Sequence, residues 1–186
     1  WSRGLGDVYK RQVQQLESEF LLGTYAGARP AGVSFVKGVG CKLFDAEGRE
    51  YLDFTSGIAV NCLGHSDEEW TSVVGEQLRT LVHVSNLYST EPAADLAKEL
   101  CEASSPWAEK AFFVNSGTEA NEAAIRIARQ FTGRSKILTR YRSYHGGTAT
   151  ALSATGDFRR NFIEDAPGFI RLMDPNPMQF SWGRDM

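Results

Sequence analysis

The most restrictive feature of this sequence is an alternation of apolar runs with a helical pattern between positions 111 and 139. A short apolar run at 111–114 precedes apolar residues at helical spacing over 119–131, and a second apolar run follows at 136–139. The pattern predicts a strand, a helix and a strand in that order. Because strands joined by helices are typical of parallel sheets covered by helices, the sequence predicts an α/β fold.

The N-terminal half predicts a hairpin followed by a helix. Residues 33–54 contain two strand-like runs on either side of a turn sequence, Asp-Ala-Glu-Gly at 45–48. Ser66 and Glu69 then have the spacing of a capping box, and apolar residues recur at helical spacing after them. We therefore expect an amphipathic helix to begin near Asp67.

A second helix is expected after Thr90, with Pro92 in its first turn. Residues 1–13 lack an initiator Met, apolar periodicity and the organisation of a targeting segment, so we expect them to be a non-native leader. We expect residues 14–90 to form an N-terminal segment of hairpin and helix. Residues 91–186 are expected to form the first part of a larger α/β domain, because the turn-rich C-terminal stretch resembles a loop cut partway.

Composition argues against several classes of partner. The 20 basic and 23 acidic residues are spread along the chain and give a net charge of -3 at pH 7, so we expect neither nucleic acid nor a membrane surface as a partner. No apolar run approaches the roughly 18 residues that a membrane span needs. The three cysteines are far apart and lack CxxC spacing, which favours reduced thiols, no metal centre and a cytoplasmic location.

A polar quartet, Asn-Ser-Gly-Thr at 115–118, separates the first predicted strand from its helix. A helix N-terminus presents unpaired N–H groups and the positive end of the helix dipole. Ser116 and Thr118 add hydroxyl groups, and Gly117 would let a ligand approach the main chain, so the quartet favours a phosphate site. Ser116 with Glu119 also has the spacing of a capping box, which needs no ligand. The nucleotide-binding patterns GxxxxGK[ST] and GxGxxG are both absent.

A second polar stretch, Tyr144 and His145 followed by two glycines, comes directly after the next predicted strand. Open α/β folds bind ligands at the carboxyl ends of their strands, and an aromatic face there can stack on a planar ring. The alternative is a loop in which both side chains only pack and hydrogen-bond. Together, the quartet and this stretch predict a site for a planar, phosphorylated cofactor.

Four segments, in this order, resemble class III, pyridoxal-phosphate-dependent aminotransferases. They are YLDFTSGIAVNCLGH, HVSNLYSTEPAADLAKEL, FFVNSGTEANEAAIRIAR and YRSYHGGT. The resemblance implies the aspartate-aminotransferase-like fold, with 91–186 as the first part of its cofactor-binding large domain. It also implies a homodimer with active sites at the subunit interface, and an amino donor and a keto acid as small-molecule partners.

The resemblance assigns two groups of residues. In the first group, backbone N–H groups and hydroxyls bind the phosphate of pyridoxal 5'-phosphate, a tyrosine stacks on its ring and a histidine lies beside it; these residues are Ser116, Gly117, Thr118, Tyr144 and His145. The second group is implied to line the substrate entrance, in part across the dimer interface; its members are Ile58, Val60 and Tyr88. The apolar members of the second group could equally be ordinary core or interface residues.

The family also needs a lysine that forms the Schiff base with the cofactor and an aspartate that pairs with the pyridine nitrogen. In family members both lie well beyond the position of this chain's last residue. No lysine present stands in a segment that resembles the Schiff-base motif; the lysines are Lys10, Lys37, Lys42, Lys98, Lys110 and Lys136. We therefore expect these 186 residues to be inactive alone and the full-length parent to be active.

The motifs leave the substrate class open. Many acetylornithine and 4-aminobutyrate aminotransferases carry an arginine directly after the motif's His-Gly, where it can hold a carboxylate, but that position here is Gly147. The branch acting on ω-amino compounds with pyruvate as acceptor resembles YRSYHGGT and TGDFRR more closely, although Phe158 replaces its frequent proline. We rank that branch first and the acetylornithine, ornithine or 4-aminobutyrate type second. Two hypotheses of a different class also stay open: a catalytically inactive relative, and a non-catalytic phosphate- or nucleotide-binding module.

Overall fold

The computed structural model describes residues 2–21 and 33–176. The chain divides into two compact units between Tyr88 and Ser89. The expected boundary between positions 90 and 91 lies close to this division.

The first unit contains a helix and a three-stranded antiparallel meander. Helix α1, Ser2–Phe20, runs through most of the expected leader. The strands are β1 (Phe35–Val39), β2 (Lys42–Asp45) and β3 (Glu50–Leu52), paired in that order. The predicted turn at 45–48 joins β2 to β3. The predicted hairpin is present as β2 and β3. The structure adds a third strand, because a second turn joins β1 to β2 at Gly40, whose φ of 55° glycine adopts without steric cost.

Helix α3, Glu68–Thr80, follows a short turn, α2, at Ser56–Ala59. Helix α3 begins where the sequence predicts, but its cap is a different residue. The Asp67 carboxylate accepts a hydrogen bond from the Trp70 N–H at 2.8 Å. Ser66 does not cap the helix, because its hydroxyl donates instead to a backbone carbonyl of β1.

The second unit contains three helices, a 3₁₀ helix and a pair of strands. In chain order they are α4 (Glu91–Ala103), α5 (Gly117–Thr132), β4 (Ile137–Arg140), α6 (Ala149–Ala154), the 3₁₀ helix (Phe158–Phe162) and β5 (Phe169–Leu172). Strands β4 and β5 are parallel, as the alternating pattern predicts. The predicted strand at 111–114 was wrong: among the described residues this run pairs with no strand. An apolar run becomes a strand only when another strand satisfies its backbone groups.

Small side chains bring α6 close to α5. Ala123 of α5 and Ala151 and Ala154 of α6 are buried, and the two helices are in contact. This packing fixes the loop between β4 and α6 near the N-terminal turns of α5. Across the described ranges, every helix is too short or too polar to cross a membrane.

Candidate cofactor site

The N-terminus of α5 is capped within the chain and stays open on its outer side. Ser116 is the N-cap, and its Oγ accepts from the Glu119 N–H at 3.2 Å. The Glu119 carboxylate accepts from the Asn115 N–H at 2.7 Å, so this half of the capping box reaches one residue further back than predicted. A Cβ built on Gly117 would meet nothing within 4 Å. Within 33–176, the N–H groups of Gly117 and Thr118 donate to no protein acceptor.

The loop after β4 lies directly against this helix end. The Asn121 side-chain amide donates to the His145 carbonyl at 2.6 Å, and the Thr118 Oγ1 accepts from the Gly147 N–H at 3.2 Å. A Cβ built on Gly146 would lie 2.0 Å from the Thr118 Oγ1, and Gly146 has a φ of 137°. The hydrogen bond between Gly147 and Thr118 joins residues that are 29 positions apart along the chain. The two polar stretches identified in the sequence therefore form one surface.

A carboxylate on α5 holds the end of the same loop. Glu122 Oε1 accepts from the Thr148 hydroxyl and from the Ala151 N–H. Burial raises the pKa of the Glu122 carboxyl, but the hydrogen bonds outweigh burial and leave the pKa below its ordinary value. Glu122 therefore stays charged and ties the first turn of α6 to α5. Sequence reasoning missed Asn121 and Glu122; the only signal was their polar character on a helix otherwise rich in alanine.

Tyr144 and His145 occupy different surroundings within the loop. Tyr144 is 50% exposed, and the Arg159 guanidinium lies over one face of its ring. His145 is half-buried, and its backbone N–H donates to the Thr155 Oγ1 at 3.0 Å. An aromatic ring thus stands on the surface that also carries the open N-terminus of α5.

These residues fit a planar ring that carries a phosphate. Gly117 leaves the main chain accessible, and the N–H groups of Gly117 and Thr118 lie where the helix dipole is positive, which suits an anion. Tyr144 offers an exposed ring for stacking. The Gly146 backbone lies so close to Thr118 that a side chain at position 146 would collide with the Thr118 hydroxyl. Pyridoxal 5'-phosphate has both the phosphate and the ring that this surface suits.

The residues predicted to line the substrate entrance belong to the first unit and are strongly exposed. Ile58 is 83% exposed, Val60 is 77% exposed and Tyr88 is 70% exposed. Ile58 stands in α2, where four consecutive residues have positive φ angles between 48° and 68°. Such left-handed backbone costs roughly 1–2 kcal/mol for each residue other than glycine. Strain of this kind persists only where neighbouring contacts hold it, and it is common at functional sites.

Three polar side chains hold this strained turn. The Asp53 carboxylate accepts from the N–H groups of Thr55 and Ser56 at 2.9 and 2.8 Å. Its other oxygen lies 2.8 Å from the His65 Nε2, and the Asn61 side-chain amide lies 3.1 Å from the His65 Nδ1. The hydrogen bond from His65, and then that from Ser56, lower the pKa of Asp53. A charged Asp53 therefore accepts from the N–H of the turn's first residue, Ser56, and from that of the residue before it, Thr55.

The family model described as Aminotransferase class-III matches residues 25–184. The chain belongs to the class III aminotransferase family. This confirms the family that the four sequence segments resemble.

Relatives of this class III aminotransferase chain are similar over most of its length. It is 42% identical over 170 residues to an acetylornithine aminotransferase of Haemophilus ducreyi, covering 87% of this chain and 42% of that protein. It is 46% identical over 139 residues to an acetylornithine aminotransferase of Methanopyrus kandleri, covering 74% of this chain and 36% of that protein. The chain thus spans about two fifths of the length of these relatives.

Solved aminotransferases share the fold of this chain, which confirms the predicted fold class. A taurine:2-oxoglutarate aminotransferase from Bifidobacterium kashiwanohense, in complex with PLP and glutamate, superposes with a TM-score of 0.86 at 34% identity, covering 95% of this chain and 40% of that chain. An (S)-enantioselective omega-transaminase from Thermomicrobium roseum superposes with a TM-score of 0.82 at 32% identity, covering 93% and 42%. The names of the sequence relatives favour the acetylornithine type, which we ranked second, over the ω-amino type.

Proposed function

We propose that the full-length protein containing this class III aminotransferase chain transfers an amino group from an amino donor to a keto acid with pyridoxal 5'-phosphate as cofactor. The observation that carries the proposal is the single surface formed by the open N-terminus of α5 and the loop after β4, linked by the hydrogen bond from Gly147 to Thr118. Membership of the family and the neighbour solved with PLP support the same cofactor.

Each residue of this surface has a proposed role. The N–H groups of Gly117 and Thr118 hold the phosphate, and the hydroxyls of Ser116 and Thr118 add donors. Tyr144 packs on the cofactor ring, and His145 lies beside it. When bound, pyridoxal phosphate supplies a ring that accepts electrons from the substrate carbon as its proton leaves. The residues of this chain bind and orient that ring rather than move the proton.

We propose N-acetylornithine or ornithine as the first candidate amino donor, because the relatives named acetylornithine aminotransferase are 42–46% identical to this chain. One observation favours a second candidate, an ω-amino compound such as taurine or β-alanine. Gly147 lacks the side chain with which an arginine at this position would pair with a substrate carboxylate. This candidate also agrees with the structural likeness to a taurine:2-oxoglutarate aminotransferase.

A donor screen on the full-length protein tests both the proposed cofactor and the proposed amino donors. N-acetylornithine, ornithine, 4-aminobutyrate, taurine and β-alanine would each be assayed with 2-oxoglutarate and with pyruvate as acceptors. We expect pyridoxal phosphate to bind and N-acetylornithine or ornithine to give the highest kcat/KM. If the ω-amino compounds gave the highest value, the second candidate would replace the first. A protein that binds ATP but not pyridoxal phosphate would exclude the aminotransferase.

We further propose that the full-length protein is a homodimer, with Ile58, Val60 and Tyr88 contributing to the substrate entrance. The exposure of these side chains and the held, strained turn at Ser56–Ala59 support this proposal. Size-exclusion chromatography with light scattering tests the dimer. The substitution Ile58→Ala tests the lining role, because a lining residue should change KM between donors of different shape without weakening cofactor binding.

A further inference from the structure

The exposed tyrosine of the candidate site has a cation on one face. The Arg159 guanidinium carbon lies 3.8 Å from the centroid of the Tyr144 ring, well inside the distance at which a cation over an aromatic face is attracted to the ring. Tyr144 nevertheless remains 50% exposed. Since Arg159 lies over one face of the ring, the opposite face is the one at which a ligand ring can stack on Tyr144.

Arg159 is itself held in place. Its Nε lies 3.0 Å from both carboxylate oxygens of Asp157, and its Nη2 also contacts that carboxylate. The Arg159 backbone N–H donates to the same carboxylate at 2.9 Å. Asp157 therefore both caps the 3₁₀ helix and binds the Arg159 guanidinium. The hydrogen bond from Arg159 lowers the pKa of Asp157. The pair therefore stays charged at neutral pH and restricts where the guanidinium can lie.

We propose that Arg159 is a positioning residue for the cofactor ring. Anchored by Asp157, it covers one face of Tyr144, restricts the rotation of that ring and leaves only the opposite face for stacking. This inference rests on the proposed function, because it assigns the ligand ring to pyridoxal phosphate. In this role Arg159 acts through Tyr144.

The test uses the full-length protein stripped of cofactor and titrated with pyridoxal 5'-phosphate. We expect Arg159→Gln to raise the Kd about three- to tenfold, the range given by loss of one cation–π contact. We also expect it to weaken the induced circular dichroism of the bound cofactor, since a less restricted ring holds the cofactor in more orientations. Arg159→Lys should lie between Arg159→Gln and the wild type, because the ammonium keeps the charge over the ring. Arg134→Gln, which removes an arginine from an exposed loop, should match the wild type.

A double-mutant cycle with Tyr144→Ala separates this role from a general loss of structure. Arg159→Gln should have no additional effect on Kd once Tyr144 is removed. The inference would be overturned if Arg159→Gln changed the Kd equally in the wild type and in Tyr144→Ala, or changed it in neither. If Arg159→Gln does not fold, the double-mutant cycle can use Arg159→Lys or Asp157→Asn instead. Both change the structure less, because the first keeps the positive charge and the second keeps Arg159. A wild-type protein that fails to bind pyridoxal phosphate would instead overturn the proposed function, and this inference with it.

Discussion

Two adjacent glycines in the loop after β4 differ sharply in the space around them. A Cβ on Gly146 would lie 2.0 Å from the Thr118 Oγ1, at a φ of 137° that other residues rarely adopt. A Cβ on Gly147 would meet only the Tyr144 hydroxyl, at 3.9 Å. Position 146 therefore requires glycine, because the backbone there lies against α5. Position 147 has room for a larger side chain.

We expect Gly146→Ala in the full-length protein to raise the Kd for pyridoxal phosphate about tenfold or more, because the loop must move away from Thr118. Gly147→Ala is the matched control and should change the Kd less than about twofold. Titration of the cofactor-free protein measures both values. Equal Kd values for the two variants would contradict the close approach of Gly146 to the helix.

At the scale of elements, the turn between β2 and β3 depends on one buried carboxylate. Asp45 accepts from the backbone N–H groups of Glu47 and Arg49 at 3.0 and 2.8 Å, and from the Tyr51 hydroxyl at 2.9 Å. Burial raises the pKa of Asp45, but hydrogen bonds from Arg49 and Tyr51 outweigh burial and lower the pKa to about 2. The folded meander therefore favours the charged form of Asp45 more than the unfolded chain does.

This difference predicts a pH-dependent contribution to stability. Because the pKa is lower when folded, Asp45 stabilises the fold fully above its ordinary pKa of 3.8, and the contribution falls away as the pH drops toward about 2. We expect Asp45→Asn to lower the urea midpoint of the full-length protein at neutral pH, and the difference from wild type to narrow as the solution is acidified through this window. A difference that stays constant with pH would show that the charge of Asp45 does not matter.

Elements with a strong local signal were predictable from the sequence. Helices α3, α4 and α5 and strand β4 lie within a few residues of their predicted positions, because periodicity and capping residues act over a single turn. Strand β5 and helix α6 were missed because each is too short to show a period. The strand at 111–114 was predicted from its apolar character alone, but pairing depends on a neighbour that the local sequence does not reveal.

The candidate site likewise contains residues whose roles the local sequence predicts and residues whose roles it does not. Ser116 as the N-cap of α5 could be read from the sequence, because its partner Glu119 is three positions away. The roles of Asn121 and Arg159 could not, because their contacts with His145 and Tyr144 span 24 and 15 positions along the chain. The first contact joins α5 to the loop after β4, and the second joins that loop to the 3₁₀ helix, so both depend on tertiary packing.

At the scale of the whole molecule, the two-stranded sheet is covered incompletely. In β4, Thr139 is buried on one face while Leu138 on the other is 63% exposed. Phe131 at the end of α5 is 90% exposed. Parallel strands in stable proteins are covered on both faces, and two strands alone give little stability in water. The described part of the chain buries small residues and leaves large apolar ones exposed to solvent.

We therefore expect the 186-residue chain, expressed by itself, to bind the dye ANS and to unfold over a broad temperature range. Its calorimetric enthalpy should fall well below the ~0.7 kcal/mol per residue of cooperatively folded domains, since much of its apolar surface gains no packing partner. The full-length protein, measured in the same buffer, should show a sharp transition and little dye binding, because its longer chain and the proposed second subunit would cover these faces. A sharp, reversible transition of the 186-residue chain with no ANS signal would mean that the exposed leucine and phenylalanine side chains find partners within the chain itself.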